Sequence, residues 1–527
     1  MKRNTEQTEN GGTDGKKSRG ISLNNFRLFS HFPFVPCSLF PWLMIILLAA
    51  GAAPAPGHKP ALHPNPPLIH SRQATVRGEG KPPVIFIPGI LGSRLVNRRT
   101  GETVWPELKD GAAGLALPIS APVLAENKDE IVATEVLEEA AVNPLIPPVS
   151  VYGPLFKALE RNGGYRRGNF IAPPPAGASD TFYVFAYDWR RDIVESARAL
   201  GNKIEDLKRR LGRPDLRFDI VAHSMGGLVA RYYAMYGDRD VLDHQDALPD
   251  WSGARNLGKI VMIGAPNTGS MSALRVLLRG YSAGDAARPS GGFLHNVRRE
   301  LLGARIGPGV VFTVPAVYQL LPPRRRARFF GADLKPLPVE LYEAETWRRY
   351  KWSAAFDERI RQREWERLIK DLGPAAGRAE SLRRSAERER FLRIALRRAA
   401  AFHNALVAES PPPANLRFIF IGGDCIATLD GAVILTGAAP RTIFKPSDFT
   451  GEKWLKRRTV KLIFNLGDGT VTRHSLLGHP LNVNPAEPVP TAMRSTPVRM
   501  AFFCKSHCGL IADPAANNDL LMALLVR

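Results

Sequence analysis

Leu216-Arg217-Phe218-Asp219-Ile220-Val221-Ala222-His223-Ser224-Met225-Gly226-Gly227-Leu228-Val229 is the stretch from which the rest of the chain is read. Leu216 to Val221 is apolar and short, as a buried strand requires. From Gly226 to Gly237, Leu228, Val229, Tyr232, Tyr233 and Met235 recur at helical spacing. A serine set between such a strand and such a helix sits on a sharp turn, with its hydroxyl exposed at the end of a sheet. The turn is strained and the helix packs close, so small residues must flank it. Ala222 and Gly226 do so, two positions either side of Ser224. This is the A-x-S-x-G form of a nucleophile elbow, with Ala for the more usual first Gly. A serine serving only as a helix N-cap would look the same locally. The neighbouring motifs therefore matter.

Working outward, strand patterns alternate with helix patterns. Pro83 to Ile87 reads as a buried strand ending in Pro88-Gly89, and Val151 to Arg161 as a helix. Thr181 to Asp188 reads as a strand, followed by a helix over Ile193 to Leu211. Lys259 to Ile263, Arg417 to Ile421, Val460 to Leu466 and Met500 to Phe503 are further strands, and Asn517 to Leu525 a closing helix. Such alternation predicts an α/β fold, a mostly parallel sheet with helices on both faces. The expected core spans residues 81–266 and 414–527. Between them, 267–413 has few strand signals. Val339 to Tyr350, Ala354 to Leu372 and Ala376 to Glu409 look helical, and Gly373-Pro374 interrupts them. This insertion is expected to form a helical cap; a solvent-facing decoration would have the same pattern.

The 527 residues carry 72 Lys and Arg against 50 Asp and Glu, a formal charge of +22. Much of the excess is arginine between Arg298 and Arg398. Solvated helix faces would account for it, as would attraction to an anionic membrane surface. Nucleic acid is not an expected partner, because no recognition motif accompanies the charge. Residues 1–56 look like a signal peptide or N-terminal anchor. Lys16, Lys17, Arg19 and Arg27 precede an uncharged run, Phe32 to Ala53, that ends in small residues. Its strongest apolar stretch, Leu39 to Ala50, is short for a membrane span. An exported protein is expected, with 57–80 as a linker. Beyond the signal, Cys425, Cys504 and Cys508 remain. In an oxidising compartment one pair can bridge and one thiol is left over, with no pairing singled out. A zinc site would need Cys504, His507, Cys508 and Cys425. Adjacent His-Cys ligands are awkward and there is no Cys-x-x-Cys, so no metal is expected.

A serine hydroxyl needs a base to take its proton and an acid to orient that base. In this architecture the order along the chain is Ser, acid, His. His507 lies on a loop just past the last strand, whereas His474 and His479 precede it. His223, beside Ser224, is expected to pack or to shape the pocket. Two acids compete. Asp424 follows the strand at Arg417, and Asp468 sits between two glycines in Leu466-Gly467-Asp468-Gly469-Thr470, where a tight turn is permitted. Pattern alone does not choose between them. An oxyanion would be held by the N–H of Met225 and by a donor from Pro88-Gly89-Ile90-Leu91-Gly92-Ser93.

Six motifs together resemble the lecithin:cholesterol acyltransferase family, which includes phospholipid:diacylglycerol acyltransferases and phospholipase A-type enzymes. They are Pro88-Gly89-Ile90-Leu91-Gly92-Ser93, Phe185-Ala186-Tyr187-Asp188-Trp189-Arg190, Ala222-His223-Ser224-Met225-Gly226-Gly227, Gly264-Ala265-Pro266-Asn267-Thr268-Gly269-Ser270, Tyr318-Gln319-Leu320-Leu321-Pro322 and Gly467-Asp468-Gly469-Thr470-Val471. They occur in the family's order. The Arg-rich run from Arg324 to Ala400 and the cysteines flanking His507 depart from its pattern. The resemblance implies an α/β-hydrolase fold with Ser224 as nucleophile, Asp468 as acid and His507 as base. It places the second oxyanion donor at Leu91. It also implies a lipid acyl ester as donor, an alcohol or water as acceptor, no metal or organic cofactor, and a cap over the acyl groove. Three functions fit: O-acyl transfer, lipase or phospholipase hydrolysis, and non-catalytic binding to a lipid surface on a hydrolase scaffold.

Overall fold

Seven strands form one sheet: β1 (Val84–Ile87), β2 (Arg166–Arg167), β3 (Thr181–Val184), β4 (Phe218–His223), β5 (Leu257–Ile263), β6 (Arg417–Gly423) and β7 (Arg499–Phe503). Their order across it is β7-β6-β5-β4-β1-β3-β2, and every neighbouring pair runs parallel. The computed structural model describes residues 80–107, 109–140, 149–244, 247–282, 305–324, 326–408, 410–449, 453–478 and 499–525. Residues 1–56 and most of the 57–80 linker lie outside these. No helix among the described residues is long and apolar enough to cross a membrane.

The sheet is buried on both faces, which is why its strands are apolar throughout instead of alternating. Successive side chains still diverge, and they build two separate cores. Ile85, Ile87, Phe218, Ile220 and Ala222 face one core, with α2 (Ile193–Arg210) and α3 (Met225–Tyr236). Val84, Phe86, Val221 and Val261 face the other, with α1 (Gly153–Arg161) and the closing helix Pro514–Leu525. β4 lies between β1 and β5, and α3 leaves its end with all twelve of its residues buried. Ser224 joins the two with φ 53°, a left-handed conformation that costs a serine backbone strain. Gly226 and Gly227 permit the close packing: a β-carbon would stand 2.5 Å from Pro88 O at the first and 2.5 Å from Ala265 Cβ at the second. A parallel sheet of this order, with a serine on the turn after its central strand, is the α/β-hydrolase architecture that the motifs imply.

Two sequence expectations are corrected. Val460 to Leu466 is not a strand of this sheet. Val460 to Ile463 end a helix (Lys453–Ile463), and only Phe464–Gly467 is extended, pairing antiparallel with Ile426–Leu429 outside the main sheet. The four residues Val460 to Ile463 continue the spacing of Leu455 and Thr459, so a helical period outweighs β-branched content. Val339 to Tyr350 contains helix only over Ala344–Arg349.

The two long helices of the insertion are α4 (Glu358–Leu372) and α5 (Pro374–Val407), joined at Gly373, where φ is +82°. α5 changes character along its 34 residues. Its first half carries Arg383, Arg384 and Arg388, which pair with Glu364, Glu380 and Glu387. Its second half buries Phe391, Leu396, Phe402 and Leu406 in the core with α3. Phe402 stacks on Tyr232 with ring centroids 5.9 Å apart. Arg231 Nη2 donates to Leu406 O (2.6 Å) and Tyr236 Oη to Ala405 O (2.9 Å). This part of the insertion is therefore a core helix leading into β6. Much of the arginine charge is spent in local pairs; Arg324, for example, bridges to Glu340 and Glu343.

Candidate active site

The end of β4, the turn after Phe464–Gly467 and the loop after β7 converge at one point. His507 Nε2 is 2.9 Å from Ser224 Oγ, and His507 Nδ1 is 2.8 Å from Asp468 Oδ2. All three residues are buried. With Nδ1–H donated to the carboxylate, Nε2 keeps its lone pair and can accept the serine proton. Asp468 is held in turn. Its Oδ1 accepts from the N–H groups of Thr470 (2.9 Å) and Val471 (2.7 Å), an Asx-type turn that the flanking glycines allow. Asp468 O accepts from the N–H of His507 (2.9 Å). Asp424, the competing acid, is half-buried beyond β6 and takes no part in these bonds.

Gly264 lies against the pair from below. A β-carbon there would sit 3.0 Å from His507 Nδ1 and 3.1 Å from Asp468 Oδ2. The rest of that motif clasps the acid turn: Ser270 Oγ donates to Thr470 O (2.7 Å), and Asn267 Nδ2 to Leu476 O (2.7 Å). Gln319 binds the start of α2, accepting from the N–H of Ile193 (2.7 Å) and donating to Asp192 (3.1 Å).

The Pro88–Ser93 loop lies beside Ser224. A β-carbon at Gly89 would meet Ser224 Cβ at 2.9 Å. Leu91 has φ 65°, and its carbonyl accepts from Trp105 Nε1 (2.8 Å). Met225 opens α3, so its N–H has no partner within the helix. The Phe185–Arg190 motif braces this loop. Tyr187 Oη donates to Pro88 O (2.8 Å) and Trp189 Nε1 to Ser93 O (3.2 Å). Arg190 is fully buried and forks between Asp188 and Asp129. Burial alone would lower its pKa, but hydrogen bonds to the two carboxylates outweigh that and hold the cation.

Tyr152 is a residue that sequence reasoning missed. Its hydroxyl accepts from the N–H of Gly89 (2.9 Å) and donates to His223 Nδ1 (2.9 Å). The His223 proton then sits on Nε2, which is buried and faces the main chain of His507. Burial, reinforced by the neighbouring His507, drives the His223 pKa well below its usual value, so this ring stays neutral. The two imidazoles lie 4.8 Å apart. A tyrosine ahead of a helix carries no motif of its own, so no local signal marks it. The cysteine question is also answered: Cys425 bonds Cys504, linking the chain just past β6 to that just past β7, and Cys508 remains free.

Fold and site together define the class of protein, an α/β-hydrolase with a buried serine–histidine–aspartate hydrogen-bond chain. Residues 133–295, which carry Ser224 and the Gly264–Ser270 motif, match the family model described as lecithin:cholesterol acyltransferase. An uncharacterized protein of Saccharomyces cerevisiae is 29% identical over 161 residues, which is 30% of this chain and 22% of that protein. Among solved structures, the Tle4–Tli4 complex aligns with TM-score 0.49 and 16% identity over 84% of this chain and 98% of that one. Lipase 1 from Pelosinus fermentans aligns with TM-score 0.30 and 11% identity over 85% and 99%.

Proposed function

We propose that the chain is a serine-dependent O-acyltransferase that moves an acyl group from a lipid ester, of the glycerophospholipid class, to an alcohol. The observation that carries this reading is the unbroken bond chain from Ser224 through His507 to Asp468. His507 Nε2 takes the Ser224 proton as Oγ attacks the ester carbonyl. The oxyanion that forms is held by the N–H groups of Met225 and Leu91. Collapse expels the lipid alcohol, which takes the proton from His507, and leaves an acyl-serine. The acceptor alcohol then gives its proton to His507 and attacks the acyl carbon, and Ser224 regains its hydrogen. Asp468 keeps the ring in the right tautomer and stabilises the transient imidazolium. Low exposure of the three groups limits the access of bulk water, which transfer to an alcohol requires.

The test is a phospholipid with a radiolabelled acyl chain, offered with and without a long-chain alcohol or sterol. New acyl ester is expected; free fatty acid alone would make the protein a lipase. Ser224→Ala should abolish turnover and fluorophosphonate labelling while the fold persists, a loss on the order of a thousand-fold or more. Binding of lipid without turnover by the unmodified chain would instead indicate a surface-binding protein. Export is part of the proposal: sequencing of the secreted form is expected to begin between about Ala52 and His58.

A further inference from the structure

Behind the acid turn lies a second polar cavity, between the turn at Thr268–Ser270, Arg326, Asp430 and His474. Three buried polar atoms of its lining residues have no hydrogen-bond partner among the described residues: Thr268 Oγ1, Arg326 Nη1 and His474 Nδ1. Buried polar groups are normally satisfied, and each exception costs the desolvation of that group. Thr268 is 5% exposed, so bulk water does not satisfy it.

The charges around this cavity do not balance. Asp430 is the one carboxylate in the lining, and both its oxygens are taken, by Arg328 Nη1 (2.6 Å) and His474 Nε2 (2.8 Å). The Arg326 side chain donates to the carbonyl of Gly478 (3.2 Å) and meets no carboxylate among the described residues. Arg231, close enough for Arg326 to depress its pKa, is buried on Asn267 Oδ1 (3.4 Å) and Leu406 O (2.6 Å), neither of them charged. Burial lowers the pKa of both guanidiniums, that of Arg231 to about 10. They still remain cations at neutral pH. Arg231 is buried and Arg326 partly so, and neither has a carboxylate partner among the described residues, an arrangement that is costly unless a negative charge joins them.

We propose that this cavity binds a monatomic anion of the chloride class, held by Arg326 Nη1, the Thr268 hydroxyl and His474 Nδ1. The donor set sets the class: three single donors, with the one carboxylate of the described lining already engaged, suit a compact anion that carries no protons of its own. Asp430 holds one ring nitrogen of His474 and the anion faces the other. The anion then ties the Thr268–Ser270 turn to the element carrying His474. Ser270 already grips the acid turn through Thr470 O (2.7 Å), so the anion acts as a strut behind Asp468. Only this last step rests on the proposed role of Asp468.

The test uses the full chain in halide-free buffer, with sodium gluconate exchanged for sodium chloride or bromide at constant ionic strength. A saturable rise in Tm of about 2–3 °C is expected with either halide. Thr268→Val, which keeps the shape and removes the hydroxyl, should weaken it, and Arg326→Gln should abolish it. Crystals soaked in bromide should show an anomalous peak between Arg326 and Thr268. A water there with no bromide, the absence of a halide-specific Tm shift, or an undiminished shift in Thr268→Val would each overturn the proposal. Halide stabilisation with an unchanged rate would leave the anion site standing and remove only the strut. Loss of turnover in Ser224→Ala bears on the reaction alone.

Discussion

His507 and Asp468 are joined twice, once by the side chains (Nδ1 to Oδ2, 2.8 Å) and once by the main chain (His507 N–H to Asp468 O, 2.9 Å). The second bond fixes the loop, so the first has only a ring to orient. Asp468→Asn keeps the shape but lets an amide N–H face Nδ1, which favours the wrong tautomer. On the proposed mechanism, kcat/KM for a lipid ester should fall about a thousand-fold or more. Asp424→Asn should leave it within a few-fold. The reverse ranking in steady-state kinetics would assign the acid to the end of β6.

Tyr152→Phe removes one hydroxyl and strands two buried groups, the Gly89 N–H and His223 Nδ1. Each orphan costs about 1–3 kcal/mol. A lower urea midpoint is expected, with kcat falling more than KM rises, because the loop carrying Leu91 loses a tether while the binding surface does not. Tyr187 and Trp189 still brace that loop, so folding should survive.

The Cys425–Cys504 bond closes a sequence separation of 79 residues, three residues before His507. A cross-link of that span contributes about 2–4 kcal/mol, mainly by restricting the unfolded chain. Cys425→Ser with Cys504→Ser, or a reducing agent, should lower Tm and slow turnover together. Cys508→Ser should do neither. Thermal melts with and without dithiothreitol check this directly.

Asp219 is a carboxylate inside β4. Its Oδ1 accepts from the N–H of Lys259 (2.8 Å), while Oδ2 is buried with no partner. Burial pushes its pKa up to about 6, against the pull of Lys259. The folded state therefore holds this proton longer than the unfolded state does. The associated stability is fully present below about pH 4 and is lost as pH rises through about 6. Asp219→Asn keeps the acceptor and gives the orphan position a neutral amide. At pH 8 the variant should be more stable by about 1–3 kcal/mol, and below pH 4 the gain should vanish. Urea unfolding at the two pH values measures it.

The strand–turn–helix around Ser224 was legible because its signal is local: an apolar run, small flanking residues and a helical period lie within twenty positions. Each strand of the main sheet that was expected, except the one over Val460 to Leu466, is found within a few residues of its place. Asp468 and Asp424 could not be separated by pattern, since both follow strands; the family resemblance pointed to Asp468, and in the structure its side-chain and main-chain bonds to His507 distinguish it, both of them tertiary. The Tyr152–His223–Gly89 contact and the cysteine pairing have the same character, joining segments that share no periodicity. The arginines of α5 are a different case, since their pairing is visible only in the structure. Charge counts see residues one at a time, whereas Arg383, Arg384 and Arg388 are neutralised by glutamates a turn away or on the adjacent helix.

α5 runs unbroken for 34 residues, about 50 Å at helical rise. One end stands in solvent beside α4, and the other meets two successive turns of the helix that begins at the serine, through Arg231, Tyr232 and Tyr236. A continuous helix of this kind behaves as a lever with its fulcrum at Arg398, which forks to Asp192 and Asp240. A push on the outer arm has no intervening loop to absorb it. Leu382, an apolar side chain 64% exposed on the outer arm, and Leu406, bonded beneath the helix that follows Ser224, therefore belong to one uninterrupted rod.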